Sequence, residues 1–193
     1  MLARLPARAS FVLAISLSVG FARAGEPFVP SWIKNDPSAK SVTIELVADW
    51  NEHLRFAEAP SRTEISDFNG YYGEGMTLVV PTGWSVTVKL NNRAESHRHS
   101  LMLTKSYPQS DIPLRLTEQD AVWGAYTTPL EGIKPGETAQ VSFMAQEPGR
   151  YTLACARNVH FIEGHWIGLD VKDDLDQAMA VISKDFVDYA GRP

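Results

Sequence analysis

The chain has 193 residues, of which 44% are hydrophobic and 21% are charged. This balance is typical of one soluble globular domain with enough apolar side chains for a core, and it excludes a disordered or fibrous protein. The formal net charge is −5 and the sequence has no basic run, so a nucleic-acid partner is not expected.

The first 24 residues have the pattern of a signal peptide. Arg4 and Arg8 supply positive charge, an apolar stretch follows over residues 11–21, and Ala22-Arg23-Ala24 precedes a cleavage site before Gly25. The apolar stretch is too short to span a bilayer, which disfavours the alternative of a retained membrane anchor. Cleavage would leave 15 basic and 23 acidic residues, a net charge of −8. We therefore expect an acidic protein, exported to the periplasm, with no stable membrane insertion.

The main body of the chain predicts β-strands. Residues 25–40 contain three prolines and predict an N-terminal arm. Over residues 41–172, several segments alternate apolar and polar side chains, which is typical of half-buried strands. Together with the more continuously apolar residues 76–80 and 101–103, the predicted strands are residues 42–48, 76–80, 84–90, 101–103, 138–145, 150–155 and 167–171. Glycine and proline turns separate them, so the pattern predicts an all-β, antiparallel sandwich domain of about seven or eight strands.

The last segment, residues 173–193, has a different period. Asp173 is a candidate N-cap and Gly191 a candidate stop, and apolar residues between them lie at helical spacing: Leu175, Met179, Ile182 and Phe186. We expect a C-terminal helix that packs on the sandwich. Its polar face is acidic, which disfavours a membrane-surface helix.

The sequence from Cys155 to His165 carries the chemistry. It holds the only cysteine of the chain and two of the five histidines, Cys155, His160 and His165, with four residues between successive members. A thiolate and imidazoles suit copper or zinc. The alternative is a buried, inert cysteine that acts as a small hydrophobe. In an oxidising compartment, however, a single thiol is open to oxidation unless a metal holds it.

A short loop cannot surround a metal, so a further histidine from a distant strand is expected. The candidates are His99 and, less favoured, His97, which precede Cys155 by 56 and 58 residues. Together with the loop, either histidine would complete the trigonal His2Cys set of copper electron-transfer sites.

Several motifs make the sequence resemble the sulfocyanin and rusticyanin branch of the cupredoxins, the small blue copper proteins. They are Phe68-Asn69-Gly70, residues 76–84, His99-Ser100-Leu101, Trp123-Gly124-Ala125, Phe143-Met144-Ala145, residues 148–151 and Cys155 with His160. The resemblance implies a Greek-key β-sandwich that binds one copper per chain. It implies His99 as the upstream ligand, Cys155 as the thiolate and His160 as the loop imidazole. Ser100 would brace this site from outside the ligand set, and His97 would be a supporting or surface residue.

One position departs from the family pattern. Where sulfocyanin-like loops have an axial methionine, five residues after the loop histidine, this chain has His165. We expect His165 to be the fourth ligand; the alternative is a solvent-facing histidine. Met102 and Met144 do not match the motif position. An axial imidazole would lower the reduction potential and give a green or red protein, and acid near pH 6.5 would detach it.

The function that follows is that of a periplasmic one-electron carrier, not an enzyme. Its partners would be redox proteins such as a cytochrome or a component of a terminal oxidase. One alternative is a copper-binding protein for delivery, storage or sensing. Another is a red or green copper site that reacts with a small molecule.

Overall fold

The structure, a computed structural model, describes residues 25–51 and 65–184. The predicted signal peptide lies outside these residues, as does the end of the predicted C-terminal helix. No helix in the described ranges is long and apolar enough to cross a membrane.

The described residues form two β-sheets. The strands are β1 (Pro27–Phe28), β2 (Ile33–Asp36), β3 (Ser41–Asn51), β4 (Ile65–Phe68), β5 (Met76–Pro81), β6 (Ser85–Asn92), β7 (Met102–Lys105), β8 (Thr138–Met144), β9 (Gly149–Ala154), β10 (Trp166–Lys172) and β11 (Met179–Ile182). The first sheet has the order β1-β11-β5-β10-β9-β7, and the second has the order β2-β3-β6-β8, with β4 also paired to β3. Helical structure in the described residues consists of four short 3-10 helices and of Lys184, the last described residue. The predicted all-β class is confirmed.

The core lies between the two sheets. In β6, Val86, Val88 and Leu90 are fully buried while the residues between them are more exposed, as the alternating sequence predicts. The predicted antiparallel pairing holds for most strands but is wrong for two pairs, because β3 runs parallel to β6 and β10 runs parallel to β5. Alternation of side chains gives the face that a residue occupies, but it carries no information about the direction of the neighbouring strand.

The predicted C-terminal helix is also wrong within the described residues. Met179–Ile182 forms β11, which pairs antiparallel with both β5 and β1. The buried residues of this segment are Ala178, Ala180 and Ile182, which have the period of a strand. Pairing with β11 supplies hydrogen-bond partners for the backbone at this edge of β5, which a helix here would leave unpaired.

The predicted N-terminal arm contributes a strand to each sheet, β1 and β2. Asn35 in β2 also joins the two ends of the domain, because its side-chain amide donates to the carbonyl of Ala178 at 2.9 Å and accepts from the amide of Ala178 at 2.8 Å. Sequence reading did not anticipate these strands, since both are short and lie beside prolines.

Three neighbouring strands position the chemically interesting residues. β9 pairs with β10 so that Ala154 faces Trp166, and with β7 so that Ala154 faces Met102. The loop 155–165 therefore connects β9 to the adjacent strand β10. It lies at the same end of the first sheet as the residues that directly precede β7. This register brings His99 to the loop.

Candidate metal centre

Four predicted ligand residues meet at this end of the sandwich. One candidate ligand atom from each of His99, Cys155, His160 and His165 lies within 4.8 Å of all the others. His99, Cys155 and His165 are fully buried, and His160 is 6% exposed. The structure thus brings together the three loop residues and the distant histidine.

The loop from Cys155 to His165 is closed by its own backbone. The Cys155 amide donates to the His165 carbonyl at 3.0 Å, and the His165 amide donates to the His160 carbonyl at 2.9 Å. These bonds fix the spacing of the three side chains before any metal is considered. The Arg157 guanidinium donates to the carbonyl of Arg98 at 3.0 Å and so ties the loop to the segment that bears His99.

His99 is held by a short bridge to Ile133. The His99 amide donates to the Ile133 carbonyl at 3.2 Å, and the Ile133 amide donates back at 2.8 Å. Gly132 lies directly against this backbone with φ of +93°, and a Cβ there would lie 2.6 Å from the His99 carbonyl carbon. Only glycine fits such a position without displacing His99.

The sulfur of Cys155 is surrounded by polar hydrogens and imidazoles. It accepts from the Ser100 amide at 3.3 Å, and the Ser100 hydroxyl lies 3.7 Å away. Nδ1 of His160 is 3.5 Å from the sulfur and Nδ1 of His99 is 4.0 Å from it. Ser100 also accepts from the Ala156 amide at 3.0 Å, so this side chain contacts both the sulfur and the loop.

His97 lies apart from the four-residue cluster. Its Nδ1 is 3.1 Å from the Ser96 hydroxyl, and its carbonyl accepts from Asn92 at 2.8 Å. The methionines considered above are also elsewhere: Met102 packs in a separate apolar cluster with Leu116 and Phe161, and Met144 is 47% exposed.

His165 makes a contact that the sequence did not reveal. Its Nε2 donates to the main-chain carbonyl of Asp67 at 3.1 Å, and its ring lies 4.2 Å from the ring of Phe68. Its Nδ1 is buried without a hydrogen-bond partner. The phenylalanine belongs to a motif visible in the sequence, but a main-chain acceptor leaves no residue-type signal.

The sequence matches one known protein family over most of its length. The profile of the family described as Sulfocyanin (SoxE) domain matches residues 32–182, most of the chain. The chain belongs to the sulfocyanin family. It is therefore a member of the cupredoxin superfamily, whose cofactor is copper. A search of curated proteins gives no significant match.

The chain is also similar to several solved structures. Reduced auracyanin from Roseiflexus castenholzii is 20% identical with a TM-score of 0.44, over 67% of this chain and 96% of that chain. Rusticyanin from Thiobacillus ferrooxidans is 19% identical with a TM-score of 0.47, over 73% and 86%. A laccase from Pediococcus acidilactici is 14% identical with a TM-score of 0.49, over 80% of this chain and 31% of that chain.

Burial sets the protonation states in this sulfocyanin-family site. Desolvation, with smaller effects from His160, His97 and Arg157, lowers the pKa of His99 to about 3. Desolvation, followed by the charges of Arg157 and His97, lowers the pKa of His160 to about 4. Burial also lowers the pKa of His165 well below its usual 6.5. All three rings are therefore neutral at neutral pH, which is the state that binds a metal.

The cysteine behaves in the opposite direction. Burial raises the pKa of the Cys155 thiol, and hydrogen bonds from the Ser100 backbone partly oppose that rise. Without a metal the sulfur carries a proton at neutral pH, and metal binding must release it.

The donor set fits copper. Three imidazoles and a thiolate form a compact set of nitrogen and sulfur donors, of the kind that copper and zinc prefer. The unpartnered, buried Nδ1 of His165 supports this fit, because a buried polar atom without a partner costs about 1–3 kcal/mol and a metal would supply one. The set contains no carboxylate.

Substituting Gly132 tests the placement of His99. Gly132→Ala should destabilise the protein by about 1–3 kcal/mol through its positive φ and by about 1–3 kcal/mol more through the collision with His99. Gly136→Ala is the matched control, because its φ of +80° imposes similar strain but nothing lies within 4 Å of the added methyl. Urea unfolding and copper binding measure the difference. Equal losses in the two variants would contradict the proposed contact.

The histidine pKa values predict how stability depends on pH without metal. Each ring binds a proton more readily when unfolded, so the metal-free protein should lose stability as pH falls from about 6.5 towards 3. The loss is up to about 1.4 kcal/mol per pH unit for each histidine. Urea unfolding at successive pH values measures this loss of stability. Between about pH 6.5 and pH 4, the free energy of unfolding of His160→Gln should depend less steeply on pH than that of the wild type, because one titrating ring is missing. The same slope in wild type and variant would refute the assignment.

Proposed function

We propose that this chain is an exported, mononuclear copper protein that carries single electrons, with His99, Cys155, His160 and His165 as the ligands. The observation that carries this proposal is the buried convergence of three imidazoles and one thiol within 4.8 Å. Copper bound there would supply the Cu(I)/Cu(II) couple. The protein must supply the rigid ligand arrangement and the exclusion of water from the site.

The residues around the ligands support a rigid site. The loop backbone, the His99–Ile133 bridge and the Ser100 contacts hold the four side chains together without a metal. Ligands that are already in place move little when the charge on the metal changes. A small rearrangement favours fast electron transfer, whereas delivery and storage proteins need ligands that release the metal.

Burial also favours a carrier over a site that reacts with a small molecule. Four protein donors would leave no open position for a substrate, and the side chains that offer them are almost entirely inaccessible to water. A site for substrate chemistry needs a vacant position and a path to it. We therefore infer that the protein is not an enzyme.

His165 distinguishes this site from one with an axial methionine. Imidazole is a stronger donor than a thioether and stabilises Cu(II), so the axial ligand is expected to lower the reduction potential. It would also give a green or red colour instead of deep blue. Because burial lowers the pKa of His165, acid should detach this ligand only well below the pH of 6.5 expected from the sequence.

We further propose that the protein acts in the periplasm and exchanges electrons with a redox protein such as a cytochrome or a terminal oxidase component. The predicted signal peptide supports the location. The net charge of −8 expected after its removal favours a partner with a basic docking surface.

Replacing His165 tests its assignment as a ligand. His165→Met should raise the reduction potential and shift the copper spectrum towards blue. His97→Gln is the control, since His97 lies outside the cluster, and it should leave the spectrum unchanged. Spectroelectrochemistry measures both properties, and identical spectra and potentials for wild type and His165→Met would exclude His165 from the ligand set.

Electron self-exchange tests the function itself. The oxidised and reduced forms of a carrier should exchange electrons rapidly, because the ligands are held by the fold in both states. NMR line broadening in mixtures of the two forms measures the rate. Slow exchange, accompanied by a large change of structure on reduction, would favour copper delivery or storage instead.

A further inference from the structure

The ring of His165 is oriented by a strand of the opposite sheet. His165 ends the loop that joins β9 to β10 in the first sheet, whereas Asp67 and Phe68 belong to β4, which pairs with β3 in the second sheet. The Asp67 carbonyl and the His165 ring are separated by 98 residues in sequence. The hydrogen bonds of the loop fix the backbone position of His165. Its imidazole ring, in contrast, contacts Asp67 and Phe68 of β4.

The hydrogen bond to Asp67 determines which nitrogen of His165 carries the proton. A main-chain carbonyl can only accept a hydrogen bond, so Nε2 must be the donor. A neutral imidazole has one N–H, and Nδ1 therefore keeps its lone pair. Nδ1 is buried and unpartnered, and the His165 ring lies edge-on to that of His99, with the centroids 4.7 Å apart.

The Phe68 ring restricts the remaining freedom of His165. The two rings lie 4.2 Å apart at an interplanar angle of 33°, and Phe68 is fully buried. Rotation of the imidazole about its Cβ–Cγ bond would break the Asp67 hydrogen bond and drive the ring against Phe68. One orientation is thus selected by both contacts.

The end of β4 is held in place by hydrogen bonds to β3. Asn69, with φ of +55°, accepts from the Val47 amide at 2.7 Å and donates to the Glu45 carbonyl at 3.0 Å. The Asp67 carboxylate accepts from the Gly70 amide at 2.6 Å. The turn after β4 is therefore fastened to β3, and the carbonyl that faces His165 has a fixed position.

We propose that β4 positions the fourth ligand: the Asp67 carbonyl holds His165 as the Nε2–H tautomer, and Phe68 fixes the plane of its ring, so that Nδ1 faces the metal. This inference rests on the proposed role of His165 as a ligand. Outer hydrogen bonds of this kind fix the tautomer of a metal-binding histidine and raise its donor strength. Asp67 and Phe68 are positioning residues and do not contact the metal themselves.

The tautomer can be read without any metal. Long-range ¹H–¹⁵N correlation spectra of the labelled, metal-free protein at neutral pH should show His165 as a neutral ring with its proton on Nε2. His165→Gln identifies the signals by their disappearance. A proton on Nδ1, or signals averaged between the two tautomers, would overturn the inference.

The Phe68 contact is tested with Co(II), whose ligand-field spectrum reports coordination independently of electron transfer. Phe68→Leu should weaken Co(II) binding by about ten-fold, the lower end of the range for such supporting residues, and change the spectrum. Phe143→Leu is the matched control: it makes the same change in the core beside Trp123 and should leave the Co(II) spectrum unchanged. Identical effects of the two substitutions would overturn the role of Phe68.

A third variant separates the inference from the function on which it rests. If His165→Leu leaves the Co(II) spectrum unchanged, His165 is not a ligand, and both the ligand assignment and this inference fail. If His165→Leu changes the spectrum but Phe68→Leu does not, the ligand assignment stands and the positioning role of Phe68 is wrong. If Phe68→Leu does not fold, the tautomer in the wild-type protein still decides the role of Asp67.

Discussion

Three uncharged imidazoles and one thiol share a volume that water scarcely reaches, and the rest of the structure makes this possible. Burial disfavours the charged forms of these groups, as the lowered histidine pKa values and the raised cysteine pKa show, and it is costly for the ring nitrogens of His99 and His165 that have no hydrogen-bond partner. The fold offsets this cost through the packing of the two sheets and the backbone hydrogen bonds of the loop. The site is therefore maintained by the sandwich rather than assembled by the metal.

Two electrostatic effects on the site act in opposite directions. Arg157 lies close enough to His99 and His160 to lower the pKa of both, and its positive charge would equally disfavour Cu(II) relative to Cu(I). The imidazole of His165 in place of a thioether would favour Cu(II). The reduction potential is thus expected to depend on a balance between the charge of Arg157 and the donor strength of His165, the fourth ligand proposed above.

Residue type determined how much could be read from the sequence. Cysteine and histidine have few common roles at such spacing, so the loop residues stand out as candidate ligands in the sequence, and the resemblance to the family favours His99 over His97. The Asp67–His165 contact could not, because every residue has a carbonyl. The predicted C-terminal helix rests on Leu175, Met179, Ile182 and Phe186, whereas the buried residues of this segment in the described part of the chain are Ala178, Ala180 and Ile182. Alanine is only weakly hydrophobic, so Ala178 and Ala180 give little evidence for either a helical or a strand period. The sequence also does not show that β5 has an edge at which a further strand can pair.

The Asn35–Ala178 hydrogen bonds have a consequence for the order in which the domain forms. They connect residues separated by 143 positions, so they require the chain up to the start of β11 to be present. Closing so long a loop is entropically costly and is favourable only after the intervening strands have packed. β1, which pairs with β11, would then join its sheet among the last elements, although it is early in the chain, whereas β2 can pair locally with β3. In the proposed export from the N-terminus, β1 would wait for the C-terminal segment to arrive.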